Sequence, residues 1–472
     1  MIFIAIMFIL TGATWLVLAA KKWMKTDFKV PFTFLGLLVV LSGSAIGYDF
    51  FHIPAPIPIT TDRALLGAIA ALFAIMALRK RQTVLALTTI DIFTAALLAT
   101  IVVSAALHDY SYLENMPISR FVFFYLIPVT LYFVVKNANT DPWEIKAVLI
   151  GLALFACYLS LTAFCEVKGI TALVFPKFIL DPKVTEFLGR GRGPFLNPIS
   201  NGIFLTTGLA AAIVLFWQAN AKMKWFIAPA IPILAAGNVA TLTRSVWVGM
   251  AIGAGIVVWA VTTRKQRAVM ILGSTVAGLI LLAALGDSLV NFKRDKHVTS
   301  NEMSKSAQLR PIFATIAWEM FKDRPIFGCG FGQYKREKQA YLQAPNSGLE
   351  LSLAKPYLQH NVFLSLLTEI GLFGCGLLVL LLGNAFLTAV QLFRHDKSSS
   401  ETRMFALVLF ALLTSYVING MFHDTSIIPM ANTLLFLLLG IATRMHQQAG
   451  LAFKFGFSAI ENSSTLKQHS AA

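Results

Sequence analysis

Cationic or titratable side chains recur in this chain where long apolar runs begin. Arg190 and Arg192 alternate with glycines in "GRGRGPFLNP", Arg244 interrupts "TLTRSVWVG", and His360 with Asn361 opens "HNVFLSLLTEIGLFG". In an extended segment, side chains two apart face the same way. Arg190 and Arg192 can then meet one ligand while the glycines let backbone N–H groups approach it, which describes an anion site. Asn197 is a good N-cap and Pro198 a good first helical residue, so a helix is expected to start there. An arginine at membrane depth is costly unless it is paired or faces water, and helix amino ends carry partial positive charge that suits phosphate. Two plainer readings stand beside this one: arginines snorkelling to headgroups at a helix end, and His360 as a structural histidine.

The elements that position these groups follow from composition. The 472 residues are 57% hydrophobic and only 13% charged, with a mean hydropathy of +0.71. This excludes a soluble globular protein and predicts an all-α, polytopic membrane protein. Strands of alternating polarity are absent, which argues against an outer-membrane barrel. Expected spans are approximately 2–20, 31–50, 63–79, 84–107, 120–136, 145–165, 198–218, 224–242, 244–262, 268–285, 361–393, 403–420 and 427–444. That makes about 12 transmembrane helices, with one short segment open to a re-entrant reading. The first run lacks a preceding basic residue and is followed by many like it, so it reads as a retained helix rather than a signal peptide. A net charge of +16 would suggest nucleic acid in a soluble protein. Here the excess lies largely in short loops, which sets orientation and leaves nucleic acid out. "KKWMK", "RKRQ", "NAKMK", "TRKQR" and "RHDKSSSETR" are expected in the cytoplasm, and the intervening loops outside it.

The expected organisation is transmembrane helices over 1–285, including an arginine-bearing outer loop at 166–197, then a large outer loop over 286–360, further transmembrane helices over 361–445, and a cytoplasmic tail over 446–472. In the large loop Ile312, Phe313, Ile316, Met320 and Phe321 recur at helical spacing, predicting an amphipathic helix on the membrane surface or over a cavity. "KREKQAYLQ" reads as a second, basic helix after the turn "GCGFGQY". Cys157, Cys165, Cys329 and Cys375 show no metal-type spacing and read as packing residues, with a Cys165–Cys329 bridge left open.

No Walker-type phosphate loop is present, so the energy for a reaction must arrive with the substrate. No paired acidic motif offers a magnesium or manganese site, although His423 and Asp424 sit together in an outer loop and Asp424 could assist. The expectation is chemistry without metal or other cofactor. Arginines stabilising a diphosphate leaving group and one histidine taking a proton fit glycosyl transfer from a lipid diphosphate to a hydroxyl. A carrier for the same lipid-linked sugar is the alternative of another class; polar groups near mid-membrane in paired broken helices would mark it, whereas here they cluster at one surface.

"RGPFLNPISNG", "TLTRSVWVG", "RPIFGCGFGQY" and "QHNVFLSLLTEIGLFG", in this order, resemble the O-antigen ligase and polymerase superfamily of bacterial inner membranes. The resemblance runs by motif from Arg190 onward, and before that by hydropathy alone. It implies a helical, lipid-carrier-dependent glycosyltransferase of the GT-C type. The ligases move a finished polysaccharide from undecaprenyl diphosphate to a sugar hydroxyl of the lipid A core at the periplasmic face. Carried to this sequence, Arg192 and Arg244, with Arg190 beside them, become the diphosphate ligands, and His360 the general base or acceptor-orienting group. Asn197, Asn361, Arg324, His423 and Asp424 are further candidate substrate contacts. Thr243 stands where serine often precedes the arginine, and Ile199-Ser200 follow the Asn-Pro pair; neither change removes a charge. Among relatives, the polymerase and the protein oligosaccharyltransferase share this donor chemistry. A basic outer loop, ten Lys/Arg against five Asp/Glu between Asn291 and Ala340, suits the phosphorylated acceptor of a ligase, and membrane lipids surround the whole. The missing acidic motif predicts that transfer survives EDTA in a reconstituted assay. Loss of transfer that added magnesium restores would refute this.

Overall fold

The computed structural model describes residues 30–46, 52–54, 58–79, 86–108, 117–269, 300–343 and 349–451. The expected span 2–20, nearly all of 268–285 and the tail beyond 451 lie outside these residues. Among the described residues there is no β-sheet, only isolated bridges such as Ile53 with Ile59. The apolar runs form helices α1 (Phe32–Ala45), α2 (Thr61–Leu78), α3 (Thr89–Ala106), α4 (Pro117–Lys136), α5 (Pro142–Lys168), α6 (Pro198–Gln218), α7 (Ala221–Ala240), α8 (Arg244–Val261), α9 (Ser300–Asp323), α10 (Val362–Arg394), α11 (Ser400–Gly420) and α12 (Pro429–Gln448). Among the described residues nine helices are long and apolar enough to cross a membrane, which makes the chain an all-helical, polytopic membrane protein.

Local chemistry sets the helix starts. Asn197 Oδ1 accepts from the N–H groups of Ile199 (2.8 Å) and Ser200 (3.1 Å), with Pro198 in the first turn. Asn361 caps α10 in the same way, accepting from Phe363 (2.9 Å) and Leu364 (3.1 Å). Its Nδ2 donates to Met421 O at 2.9 Å, which ties the start of α10 to the end of α11. Helix α6 is buried from Pro198 to Val214 and forms the centre of the bundle. Close approach there depends on small residues: a Cβ on Gly208 would lie 2.2 Å from Ala156 Cβ, and one on Gly202 2.4 Å from Val246.

Successive helices reverse direction, so residues 169–197, 241–243, 300–343, 349–361 and 421–428 gather at one end of the bundle. Contacts between them fix this: Gly191 N–H donates to Ala240 O at 2.9 Å, and Phe331 N–H to Ser104 Oγ at 3.0 Å. Helix α9 lies within that cap. Its Ile312, Phe313, Ile316 and Met320 pack with Cys329, Tyr334, Leu351 and Ala354 into a small second core. Four residues of the apolar stripe read from the sequence are thus buried against the cap and α10, while Phe321 stays half-buried beside Trp318. The second, basic helix is shorter than expected, one turn at Tyr334–Glu337 followed by a 3-10 turn at Lys338–Tyr341.

The cap is joined to the bundle through a break in α10. Gly371 has φ 69° and ψ −169°, outside the helical region. The opened turn pairs with the turn segment "RPIFGCG" that follows α9. Cys329 N–H donates to Thr368 O (2.8 Å), Gly330 N–H to Glu369 O (2.9 Å), Leu372 N–H to Pro325 O (2.8 Å) and Phe373 N–H to Ile326 O (3.2 Å). Those four bonds replace the intrahelical ones lost at the break. Only glycine fits, because a Cβ on Gly371 would sit 2.1 Å from Ile326 O, in a backbone conformation that costs other residues roughly 1–3 kcal/mol before any clash. Gly371→Ala is therefore expected to lower the Tm in detergent by at least about 5 °C. Gly376→Ala, where no atom lies within 4 Å of the added Cβ, should leave it unchanged; equal Tm values for both variants would count against a clamp at Gly371.

Candidate functional site

The "GRGRGP" segment is a turn, where the spacing argument expected an extended strand. Arg192 N–H donates to Arg190 O at 2.8 Å, and Gly193 has φ 56°. Arg192 has no exposed surface. Its Nη1 donates to Val184 O (2.6 Å) and Glu186 O (2.8 Å), its Nη2 to Ile179 O (2.7 Å), and its Nε faces Glu166 Oε1 at 3.4 Å. Glu166 Oε2 also accepts from the N–H groups of Arg192 (3.0 Å) and Gly193 (3.1 Å). The guanidinium is enclosed by protein and holds residues 179–193 as one folded loop. Arg190 lies on the Phe187 ring, 5.1 Å from its centroid. The intervening Gly191 is required by packing, since its Cβ would meet Ala163 at 2.7 Å and Ala240 O at 2.8 Å. The alternation of arginine and glycine thus has a local packing cause.

Arg244 is in a different situation. It is the first residue of α8, exposed, and makes no hydrogen bond or ion pair among the described residues. One and a half turns further on, Gly249 packs against Ser415 and Asn419 of α11 (3.3–3.4 Å for a built Cβ). The end of the same helix, Met421, receives the hydrogen bond from Asn361. The last turns of α11 therefore link the start of α8 with the start of α10, where His360 stands. The His360 ring lies 5.1 Å from Phe313, 6.3 Å from Tyr357 and 6.4 Å from His423, centroid to centroid. The residue keeps an exposed edge, yet desolvation among its neighbours, then the positive charges of Arg310 and Lys338, hold its pKa below the ordinary imidazole value. Arg310, on α9, stacks on Phe422 at 5.0 Å. Lys338 is fully buried and donates to Ala354 O (2.7 Å) and to Tyr357 O, fixing the segment that leads into His360.

Of the remaining candidates, Asn197 and Asn361 act as helix caps, and Arg324 pairs with Glu337 at 3.1 Å on the exposed side of the cap. Cys165 and Cys329 are both free thiols, buried in separate small cores. Asp424 is buried and accepts from Ser426 N–H (3.1 Å) and Oγ–H (2.5 Å), and burial raises its pKa. It lines a cavity of about 320 Å³ together with Arg120, Gln359, Ser365 and Glu369. Arg120 and Glu369 form an ion pair at 2.9 Å with side chains 13% and 2% exposed. The sequence reading passed over both as ordinary members of apolar runs. A charged residue inside such a run is itself a functional-site signal, and "SRFVFFY" and "LLTEIG" each carried it.

Removing Arg192 would leave the Glu166 carboxylate and several loop carbonyls buried without their donor, a loss of about 3–5 kcal/mol for one partner of a buried pair. Arg192→Ala is expected to lower the Tm markedly and expose residues 170–190 to limited proteolysis. Arg244→Ala should match the parent protein in both measurements. Identical stability of the two variants would overturn the structural assignment of Arg192.

No curated protein matches the chain. Residues 229–379, about a third of it, match the family model described as O-antigen ligase. The family carries ligase- or polymerase-type glycosyl transfer from lipid-linked glycans. Arg244, Arg310, His360 and Glu369 fall within the matched stretch; Arg120, Arg190, Arg192 and Asp424 fall outside it. The exposed cation, the histidine and the helix break all lie within residues 229–379, the stretch that is similar to the O-antigen ligase family.

Proposed function

We propose that the protein is an O-antigen ligase of the bacterial inner membrane, transferring a polysaccharide from undecaprenyl diphosphate to a sugar hydroxyl of the lipid A core at the periplasmic face. The reading rests on one observation: an exposed, unpartnered arginine at a helix amino end and a histidine at the next such start, bridged by the end of α11. The basic breaks at the opposite end support the orientation.

In this reading Arg244 and the amino end of α8 bind the donor diphosphate, with Arg310 a further cation whose charge acts on His360. Neutral His360 takes the proton from the acceptor hydroxyl as its oxygen bonds to the anomeric carbon of the donor sugar. The bond from that carbon to the diphosphate oxygen breaks, and its electron pair leaves with undecaprenyl diphosphate. Arg244 stabilises the charge that develops on that leaving group. Arg192 contributes by holding the neighbouring loop. The polymerase and the protein oligosaccharyltransferase would use the same donor steps and differ in acceptor. The positive charge of the cap favours a phosphorylated acceptor. Reconstituted transfer offered lipid A core, a second lipid-linked glycan and a protein acceptor in parallel should elongate the first alone. Elongation of either other acceptor would replace the ligase reading with that relative.

The base role has a pH signature. A lowered imidazole pKa keeps His360 neutral below the ordinary value of about 6.5, so the acid limb of kcat/KM should fall beneath that value. Arg310→Gln removes a positive neighbour, raises that pKa and moves the limb to higher pH. His360→Ala should cost about 100-fold or more in rate. A limb that stays put in Arg310→Gln, or an active His360→Ala, would remove His360 as the base.

A further inference from the structure

We propose that the cavity beside His360 is a sugar-ring subsite, which selects the saccharide by its hydroxyls and is separate from the diphosphate contacts. The inference deepens the ligase reading and rests on it. The cavity, about 320 Å³, lies at the low end of ligand pockets and suits a sugar ring rather than a lipid chain. Its polar lining is already balanced toward negative, with Arg120 paired to Glu369 and Asp424 beside them. A polyanion such as diphosphate would meet two carboxyl groups there, whereas sugar hydroxyls would find acceptors.

Two residues of that lining each hold a buried polar atom that has no hydrogen-bond partner among the described residues. Glu369 Oε2 and the Tyr334 hydroxyl are both unsatisfied among the described residues, in side chains about 2% exposed. An unsatisfied buried acceptor costs about 1–3 kcal/mol, more when charged, and a ligand hydroxyl would relieve it. One supplies an acceptor and the other an O–H donor, the pairing a sugar's vicinal hydroxyls can satisfy. Phe123 adds an aromatic wall for the apolar face of a ring. The subsite adjoins the proposed base: Gln359 lines it and accepts from His360 N–H at 3.0 Å, and Asp424 follows His423. The Gly371 break sets this arrangement, because Glu369 O and Thr368 O receive the cap while the Glu369 carboxylate turns to Arg120.

The test measures binding to the full chain in nanodiscs for three probes: undecaprenyl diphosphate without sugar, the same lipid carrying one N-acetylglucosamine, and lipid A core oligosaccharide freed of acyl chains. Tyr334→Phe and Glu369→Gln are compared with the parent protein, with Tm recorded for each. Tyr334→Phe retains the ring and its packing, so the test stands even if Glu369→Gln unfolds. The expected result is a loss of about tenfold or more for one sugar-bearing probe with sugar-free undecaprenyl diphosphate unchanged. Weakening of the lipid-linked sugar assigns the subsite to the donor; weakening of the core oligosaccharide assigns it to the acceptor. Unchanged binding of both sugar probes in a folded Tyr334→Phe, equal loss for the sugar-free lipid, or a parent protein that binds no sugar probe would overturn the proposal. Sugar-dependent binding in a parent protein that transfers nothing would sink the ligase reading alone.

Discussion

The site depends on four backbone hydrogen bonds between residues 325–330 and the opened turn 368–373 of α10. Backbone polar groups removed from water must find partners within the protein, so a helix can open only where another segment supplies them. Here the glycine-containing loop after α9 does so, and Gly371 is the residue that lets Ile326 approach. One contact thereby joins the cap to the bundle, ends the regular run below His360, and orients Glu369 toward Arg120. The motifs "RPIFGCG" and "TEIG" are two halves of the same junction.

A second constraint sorts the cations. Arg192, Arg120, Lys136 and Lys338 are buried or nearly so, and each donates to protein oxygens; Lys136, for example, pairs with Asp91 at 2.6 Å at the opposite end of the bundle. A buried charge is tolerated only when it is paired, and pairing removes it from use by a ligand. Arg244 and Arg310 stand at the surface of the capped end, where water can satisfy them. The distinction between holding the fold and offering a binding contact therefore follows from burial, and charge alone does not reveal it.

The proposed reaction benefits from keeping its parts apart. In that reading the cation at the start of α8 addresses the diphosphate, the lowered pKa of His360 keeps a base available near neutrality, and the partly open cavity with its ion pair addresses hydroxyls. Each demand conflicts with the others if placed on the same residues, since a phosphate beside Glu369 and Asp424 would be repelled. The cap, by closing over α10, brings these surfaces to one end of the bundle without merging them.

By itself the sequence determined the helical, membrane-spanning class, most helix boundaries, and the caps Asn197 and Asn361, because periodicity and capping act over a few residues. It also located Arg244 and His360 at helix starts on one side, a consequence of counting reversals. Whether Arg192 faces a ligand or a ring of carbonyls was decided only by the folded loop 179–193, whose closure the local spacing does not encode. The Arg120–Glu369 pair joins residues 249 positions apart, and the break at Gly371 has meaning only beside residues 325–330. Tertiary structure decided these, because the partner that satisfies a buried charge or an opened backbone comes from a distant part of the chain.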